Sequence, residues 1–182
     1  MKVLILTSSP NADGLTAACG RSAAQGVKAA GHQAEVLNLC KQQLNSCRAC
    51  GNGWGACRAG QVCTGVQDDF SQIQQRAREA DALVLVTPVY YGQMSERMKA
   101  FCDRLRRCDA LREGKGAFQG KPVLLVAAAG GSGGGTLSCL TEMLAFTQHL
   151  GMRYFDVIPV TQRTRAYQLE AIQAAGSALT AY

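Results

Sequence analysis

Four cysteines lie close together in the chain, and their thiols could ligate a metal or carry out redox chemistry. They are Cys47, Cys50, Cys57 and Cys63, spaced C-x2-C-x6-C-x5-C. Thiolates at this density bind iron–sulfur clusters or zinc. Cys47 and Cys50 also have the C-x-x-C spacing of a redox-active dithiol. The cysteine spacing allows four interpretations: an iron–sulfur cluster, a zinc ion, redox thiols, and a loop that binds nothing.

The remaining five cysteines are predicted to be small buried apolar residues. They are Cys19, Cys40, Cys102, Cys108 and Cys139. The total of nine is odd, and the N-terminal apolar stretch Val3–Thr7 is too short for a signal peptide. A fully paired extracellular disulfide framework is therefore not expected. We expect a reducing, cytoplasmic location.

A hydroxyl-rich segment near the N-terminus could bind a phosphate group. It reads Thr7-Ser8-Ser9-Pro10-Asn11-Ala12-Asp13-Gly14-Leu15-Thr16 and leads into a predicted helix. Free amides and the positive end of the dipole attract anions there, and Ser9, Asn11 and Thr16 add side-chain donors. The segment matches neither the P-loop nor the G-x-G-x-x-G pattern, which disfavours a nucleoside-triphosphatase and a dinucleotide site. The alternative is an ordinary polar loop that caps the helix.

Two further segments have compositions that suit a planar ligand. The first reads Thr87-Pro88-Val89-Tyr90-Tyr91-Gly92-Gln93-Met94-Ser95, and the second Gly130-Gly131-Ser132-Gly133-Gly134-Gly135-Thr136. Tyrosine offers a flat face and a hydroxyl, and we expect Gly92 to let the backbone approach a ligand closely. The glycine run exposes many amides. The alternatives are tyrosines that only cover the end of the sheet and a flexible connector.

Strands and helices alternate along the chain, and this order positions the three segments. The predicted strands are Val3–Thr7, Ala34–Leu39, Ala82–Thr87, Pro122–Ala128 and Met152–Val160, and the predicted helices are Leu15–Ala30, Phe70–Ala80, Met94–Cys108, Thr136–Leu150 and Arg165–Leu179. Alternation of this kind predicts an α/β fold, with an open parallel sheet and helices on both faces. Ligands bind such sheets beyond the carboxyl ends of the strands. The three segments follow strands one, three and four, so together they predict FMN.

Composition and charge exclude several other classes of protein. The chain has 182 residues, of which 47% are hydrophobic and 18% charged, so we expect one domain over residues 1–182 with a Cys-rich insertion loop at about 41–67. No apolar run is long enough to span a membrane. The net charge is +6, but the basic residues are dispersed except at Arg104, Arg106 and Arg107. Nucleic-acid binding is therefore disfavoured, and a weak preference for small anions is expected.

The three segments resemble the NADPH-dependent FMN reductase family of flavodoxin-like proteins. Ser8–Asn11 with Gly14–Thr16 is similar to the family's S-P-R-x-x-G-N/S-T loop, although Asn11 and Leu15 depart from it. Thr87–Ser95, continued by Lys99-Ala100-Phe101 and Asp103-Arg104, resembles T-P-x-Y-x-x-x-x-S…K-x-F-x-D-R. The resemblance implies an open five-stranded sheet of order 2-1-3-4-5 and a homodimeric or homotetrameric oxidoreductase. Such an enzyme would take electrons from NAD(P)H and pass them to a small acceptor or a redox protein.

On this reading, the predicted cofactor-binding residues are Ser9, Asn11, Gly14, Leu15, Thr16, Pro88, Val89, Tyr90, Tyr91, Gly92, Gln93, Met94, Gly130 and Gly131. No side chain is assigned as a catalytic acid or base. The family includes iron–sulfur flavoproteins, whose cysteine motif lies after strand two with a compact C-x2-C-x2-C-x5-C-like spacing. Here the middle gap is longer, and Gly53 stands nearest the usual third cysteine. Two alternatives therefore accompany the reductase: electron transfer between a cluster on these cysteines and FMN, and a nucleotide-binding module without redox chemistry.

Overall fold

A computed structural model of the chain describes residues 1–53, 55–113 and 115–182. The strands are β1 Lys2–Thr7, β2 Gln33–Asn38, β3 Ala82–Tyr90, β4 Gln93–Met94, β5 Pro122–Ala129 and β6 Arg153–Thr161. The α-helices are α1 Leu15–Ala29, α2 Ala56–Gly60, α3 Phe70–Glu79, α4 Glu96–Asp109, α5 Thr136–His149 and α6 Arg165–Ala178. Short 3-10 turns follow at Leu39–Lys41 and Leu179–Ala181.

The sheet has the order β2-β1-β3-β5-β6, and all of these neighbours pair in parallel. This confirms the predicted flavodoxin-like order 2-1-3-4-5. The strand count differs from the five expected, because the two-residue β4 pairs antiparallel with β3. Tyr91 and Gly92, between these strands, have φ of 50° and 81°. Two consecutive positive φ values are what a tight two-residue hairpin turn requires.

Helices cover both faces of the sheet, and each face has its own apolar core. On one face, α1 and α6 pack over side chains that include Ile5, Val84 and Val126. On the other face, α3, α4 and α5 pack over Leu4, Leu85 and Leu125. Because alternate residues of a strand point to opposite faces, a sheet covered on both sides needs continuous apolar strands. β5 meets this need, since all eight of its residues are buried.

Most helix boundaries agree with the predicted ones to within a residue, and α4 is the exception. It begins at Glu96 instead of Met94, because Gln93 and Met94 form β4. Ser95 caps this helix: its hydroxyl accepts a hydrogen bond from the Met98 amide at 3.4 Å. α4 is thereby fixed to the end of the hairpin at the carboxyl edge of the sheet.

The cysteine-rich segment connects β2 to α3 and contains the short helix α2, none of whose residues is buried. Position 54, within this segment, lies outside the described residues. The two ends of the segment are joined: the Gln43 amide donates to Asp69 Oδ2 at 2.7 Å, and the Asp69 amide donates to the Gln43 carbonyl at 2.9 Å. Among the described residues, the model contains no helix that could cross a membrane.

Candidate functional site

Three loops meet at the carboxyl edge of the sheet. β1 ends at Thr7, whose partner in β3 is Val86, and Pro88 of β3 pairs with Ala128 of β5. This register brings the segments after β1, β3 and β5 to the same edge. All three segments predicted to bind a ligand therefore lie side by side.

Three buried hydroxyls link these loops beneath the surface. The Ser95 hydroxyl lies 2.8 Å from Ser8 Oγ, and Ser8 Oγ lies 3.2 Å from Thr87 Oγ1. The Ser95 amide donates to Thr87 Oγ1 at 3.0 Å. The cluster therefore connects the ends of β1 and β3 with the start of α4. Hydrogen-bonded buried hydroxyls hold their elements in one relative position, because leaving any of them unpaired is costly.

The β1–α1 loop presents an uncapped helix N-terminus. Gly14 precedes α1 in an extended conformation and offers no side chain to its amides, and the first turn carries no acidic residue. The Ser9 hydroxyl accepts from the Asn11 amide at 3.3 Å, which curls the loop toward the helix. Such an N-terminus attracts an anion through its free amides and its dipole.

The predicted phosphate-loop residues differ in what they expose. Asn11 is exposed, whereas Ser9 and Thr16 are buried. Leu15 is also buried, with its side chain in the apolar core under α1. Only the backbone of Leu15 is therefore available to a ligand, in agreement with its departure from the polar residue of the family loop.

The aromatic turn differs in detail from the expectation. Pro88, Val89 and Tyr90 do not follow the third strand, because β3 continues through Tyr90. This extension is possible because the chain returns as β4 and pairs with it. Tyr90 is 39% exposed, and Tyr91, at the tip of the turn, is fully exposed. Both rings are accessible at the edge where the three loops meet.

Gln93 and Met94, the other two predicted residues of this segment, form β4. Gln93 is exposed beside the turn. The Met94 side chain is buried in the core, with Cys102 Sγ 4.0 Å from its sulfur. The Met94 amide donates to the Glu142 carboxylate at 3.1 Å. Neither the side chain nor the amide of Met94 is therefore directed at the shared edge.

Gly92 has a structural role that the sequence did not reveal. A Cβ on Gly92 would lie 2.9 Å from Ser138 Oγ, and a Cβ on Gly135 would lie 2.6 Å from the Gly92 Cα. The Ser138 hydroxyl also donates to the Gly92 carbonyl at 2.9 Å. The small size of Gly92 therefore serves the contact between the β3–β4 turn and the glycine-rich loop, and its predicted role beside a ligand stays a prediction.

The glycine-rich loop contains two kinds of glycine. Gly133 and Gly135 have φ of 86° and 83° and pack closely against Thr161 and Gly92, respectively. Gly130 and Gly131 are exposed, and a Cβ on either would meet nothing within 4 Å. The first kind fixes the loop, and the second leaves open backbone at the carboxyl edge of β5. A planar group has room to lie against these two residues.

A second region of chemical interest is the cysteine pocket, defined by Cys47, Cys50, Cys57, Cys63 and Cys108. These residues line one cavity of about 60 Å³, together with Arg104 and Arg107. Four of the five are the cysteines of the predicted metal motif. Cys108, which we expected only as a core residue, is 1% exposed and reaches the pocket from α4.

The cysteine pocket contains the sulfur donors that a thiolate-bound metal or cluster needs, but these donors do not converge on one point. In the described part of the chain, no three metal-binding side chains converge closely enough to hold an ion. The Arg104 guanidinium donates to Cys63 Sγ at 3.3 Å, and its Nε has no hydrogen-bond partner within the described residues. Buried cationic donors of this kind stabilise ligating sulfurs.

Arg104 forms a buried ion pair that sequence reasoning missed. Its guanidinium lies 2.7 Å from Asp68 Oδ2, and both side chains are 1% exposed. Burial alone would raise the pKa of Asp68, but hydrogen bonds from Arg104, Asn45 and Phe70 outweigh it and hold that pKa below its usual value. The sequence offers no signal for this pair, because Asp68 and Arg104 lie 36 positions apart and meet only through tertiary packing.

The predicted burial of the other cysteines is confirmed for all but one. Cys19, Cys102, Cys108 and Cys139 are at most 2% exposed, whereas Cys40 is half-buried in the 3-10 turn after β2. Burial raises the pKa of Cys19, Cys108 and Cys139 to about 12. These thiols are therefore protonated and unreactive at neutral pH.

Comparison with known protein families agrees with this geometry. The model of the family described as NADPH-dependent FMN reductase matches residues 1–161, which include all three edge loops. The chain belongs to this family. Membership confirms the resemblance and agrees with the expected FMN cofactor and oxidoreductase class.

Curated relatives are similar to part of the chain. An iron–sulfur flavoprotein of Methanocaldococcus jannaschii is 32% identical over 106 residues, which cover 58% of this chain and 52% of that protein. An iron–sulfur flavoprotein of Archaeoglobus fulgidus is 33% identical over 106 residues, which cover 58% of this chain and 49% of that protein. The match thus spans about half the length of these relatives.

Solved structures share the fold at low sequence identity. The NAD(P)H:quinone oxidoreductase of Methanothermobacter marburgensis superposes with a TM-score of 0.76 at 18% identity, over 99% of this chain and 97% of that one. A quinone reductase structure from Klebsiella pneumoniae superposes with a TM-score of 0.73 at 21% identity, over 100% of this chain and 84% of that one. At this identity the likeness supports the flavodoxin-like fold alone.

Proposed function

We propose that the chain is an FMN-dependent NAD(P)H oxidoreductase that reduces a small acceptor such as a quinone or a free flavin. The observation that carries the proposal is the convergence of three loops at one sheet edge. One loop has an uncapped helix N-terminus, one has exposed tyrosines, and one has open glycine backbone. These suit, in turn, a phosphate, a planar ring and the polar edge of that ring.

In this proposal, the β1–α1 loop holds the phosphate of FMN. Ser9, Asn11 and Thr16 donate from their side chains, and Gly14 and Leu15 contribute backbone. Pro88–Gln93 and the open glycines Gly130 and Gly131 border the ring, whereas Met94, also predicted for this site, packs in the core instead. The bound flavin supplies the hydride and electron chemistry. The chain's own part is to orient the ring and to offer amides to the negative charge of its reduced state.

Anaerobic addition of NADPH or NADH to the FMN-loaded protein tests the activity. We expect the flavin absorbance to bleach with at least one donor and to return when a quinone is added. The Thr16→Val variant should bind FMN at least about tenfold more weakly, because one hydroxyl donor to a charged group is lost. Thr180→Val, whose hydroxyl bonds the Ser177 carbonyl near the C-terminus, is the matched control. A loaded protein that neither donor bleaches would contradict the proposal.

A second candidate function is electron transfer through an iron–sulfur cluster held by Cys47, Cys50, Cys57 and Cys63. It is favoured by the shared pocket that these thiols line and by the names of the curated relatives. Electrons would pass between the cluster and FMN, across a subunit interface, to or from a redox protein. A tetrathiolate zinc site in the same pocket is the competing metal centre.

Iron, acid-labile sulfide and zinc contents of protein purified without air distinguish these metals. If a cluster is bound, iron and sulfide should be present in equal amounts, lost in Cys63→Ser and retained in Cys139→Ser, whose thiol is buried elsewhere in the core. Zinc alone would favour the structural site, and the absence of both metals would leave only the flavin chemistry.

We also propose that the protein assembles as a homodimer or homotetramer in the cytoplasm. Tyr91 is fully exposed and Leu137 is 72% exposed, and the hydrogen bond between Gly92 and Ser138 brings these apolar side chains to the same edge. A second copy that covers them would also exclude water from the ring site. The nine free cysteines fit a reducing compartment. Light scattering on Tyr91→Ser should show a smaller particle than on the unaltered protein.

A further inference from the structure

Four arginines line one cleft beside the cysteine pocket. The cleft has a volume of about 340 Å³ and is lined by Arg58, Arg106, Arg107, Ala110 and Arg112. No acidic side chain is among these lining residues. We refer to this feature as the arginine cleft.

Ion pairs among the described residues do not neutralise the charges of Arg106, Arg107 and Arg112. Within the described ranges, Arg106, Arg107 and Arg112 take part in none of the ion pairs, which involve Lys2, Arg76, Arg78, Lys99 and Arg104 instead. Arg107 donates to the Gly53 carbonyl, and Arg112 donates to the Arg107 carbonyl at 3.5 Å. Carbonyls orient guanidinium groups but leave their charge in place.

The nearest buried carboxylate is already engaged. Asp109, the last residue of α4, is 2% exposed and accepts hydrogen bonds from Gln74 at 2.5 Å and from Arg78 at 2.8 Å. It is not among the residues that line the cleft. Among the described residues, a ligand in the cleft would therefore face guanidinium groups and one alanine.

The arginines reach the cleft from three separate segments. Arg106 and Arg107 belong to the last turn of α4, Arg58 belongs to α2, and Arg112 lies in a turn closed by two backbone hydrogen bonds with Lys115, at 3.1 Å and 2.8 Å. The negative end of a helix dipole attracts basic residues to its own last turn. The dipole of α4 accounts for its own two arginines, but it does not account for Arg58 and Arg112, which belong to other segments and line the same cleft.

The arginine cleft is distinct from the proposed flavin site. α4 starts at the carboxyl edge, directly after the β3–β4 hairpin, and has 14 residues. At about 1.5 Å per residue, its last turn lies roughly 20 Å from its first. A ligand in the cleft would therefore leave the phosphate loop free.

We propose that the arginine cleft binds a small molecule that carries at least two phosphate groups. Guanidinium forks bind phosphate oxygens in pairs, and several forks around one cavity favour a polyanion over a single charge. The volume falls in the range of small-ligand sites. A nucleotide and a free polyphosphate would present the same diphosphate chemistry to these side chains.

Calorimetric titration of the FMN-loaded protein with pyrophosphate tests this proposal, because bound FMN fills the other expected phosphate site. We expect one saturable site, weakened at least about tenfold in Arg106→Gln and, independently, in Arg112→Gln. Lys28→Gln removes the same charge from α1, on the opposite face of the sheet, and should change the affinity by less than twofold. ADP in a second arm distinguishes the sources: tighter binding than pyrophosphate indicates a nucleotide, and weaker binding a polyphosphate.

Three outcomes would overturn the proposal: no saturable binding at millimolar pyrophosphate, full affinity in both arginine variants, or an equal loss in Lys28→Gln. Thermal melting of each variant confirms that it is folded, and Arg106→Gln and Arg112→Gln alter different segments. The experiment does not depend on the electron donor or the acceptor, so the cleft and the redox function can fail separately.

Discussion

At the scale of single residues, small polar groups decide the geometry of the edge site. Ser8, Thr87 and Ser95 are each at most 1% exposed, and each bonds to at least one other of the three. The sequence could not predict this cluster. Two of its members are 87 positions apart in the chain, so their contact depends on the strand register.

Removal of the Ser95 hydroxyl should destabilise the protein. Ser95→Ala loses the cap of α4 and leaves Ser8 with one partner fewer, so we expect about 2 kcal/mol less free energy of unfolding. Urea titration measures this change. Ser71→Ala, at an exposed position of α3, should change stability by less than about 0.5 kcal/mol. Equal stabilities of the two variants would contradict the role of the cluster.

The ion pair between Asp68 and Arg104 should make the free energy of unfolding depend on pH in the acid range. Because the folded pKa of Asp68 is lowered, its contribution is complete above about pH 4 and is lost as the pH falls through that lower value. Denaturant titrations at a series of pH values should therefore show a steeper acid loss in the unaltered protein than in Asp68→Asn. Asp103→Asn, from an exposed pair, should keep the steep loss. Parallel acid profiles of all three proteins would refute this account.

At the scale of elements, two loops lock together at the site. The β3–β4 turn and the glycine-rich loop meet at Gly92 and Gly135, both at positive φ. Strand and helix positions could be predicted because apolar runs and caps are local signals. β4 was not predicted, since a two-residue strand has no periodicity. The tyrosines and glycines indicated a turn and a loop, but not that the two would touch.

Substitution by alanine should change the stability of the protein differently at the two kinds of glycine in the glycine-rich loop. In Gly135→Ala the new Cβ meets the Gly92 backbone at a φ of 83°, so we expect a loss of at least about 2 kcal/mol of stability. Gly131→Ala adds a Cβ in open space and should alter stability by under about 0.5 kcal/mol. Thermal or urea unfolding compares them. A stable Gly135→Ala protein would show that the contact is dispensable.

At the scale of the whole molecule, the two faces of the sheet have different tasks. α1 and α6 pack closely and close one core, while α3 and α4 on the other face support the cysteine pocket and the arginine cleft. The order of the sheet could be predicted from the alternation of elements and the family resemblance. Cys108 and Arg104 could not be assigned to the cysteine pocket, because their helix contacts that segment only through tertiary packing.

The contact between α1 and α6 should not tolerate a larger side chain at Gly26. A Cβ on Gly26 would lie 1.9 Å from the Gln173 carbonyl oxygen, so Gly26→Ala must push the helices apart. We expect at least about 2 kcal/mol of lost stability. Gln25→Ala, at a neighbouring exposed position, is the control. Stability equal to that of the control would contradict the close packing.

The carboxyl edge of the sheet is proposed to bind FMN by its phosphate. Titration of the flavin-free protein with FMN and with riboflavin, followed by flavin fluorescence, tests this binding mode. The two ligands share the ring and differ only in the phosphate, which the uncapped N-terminus of α1 should hold. We expect one FMN to bind per chain, at least about a hundredfold more tightly than riboflavin. Equal affinities, or no binding of either flavin, would contradict it.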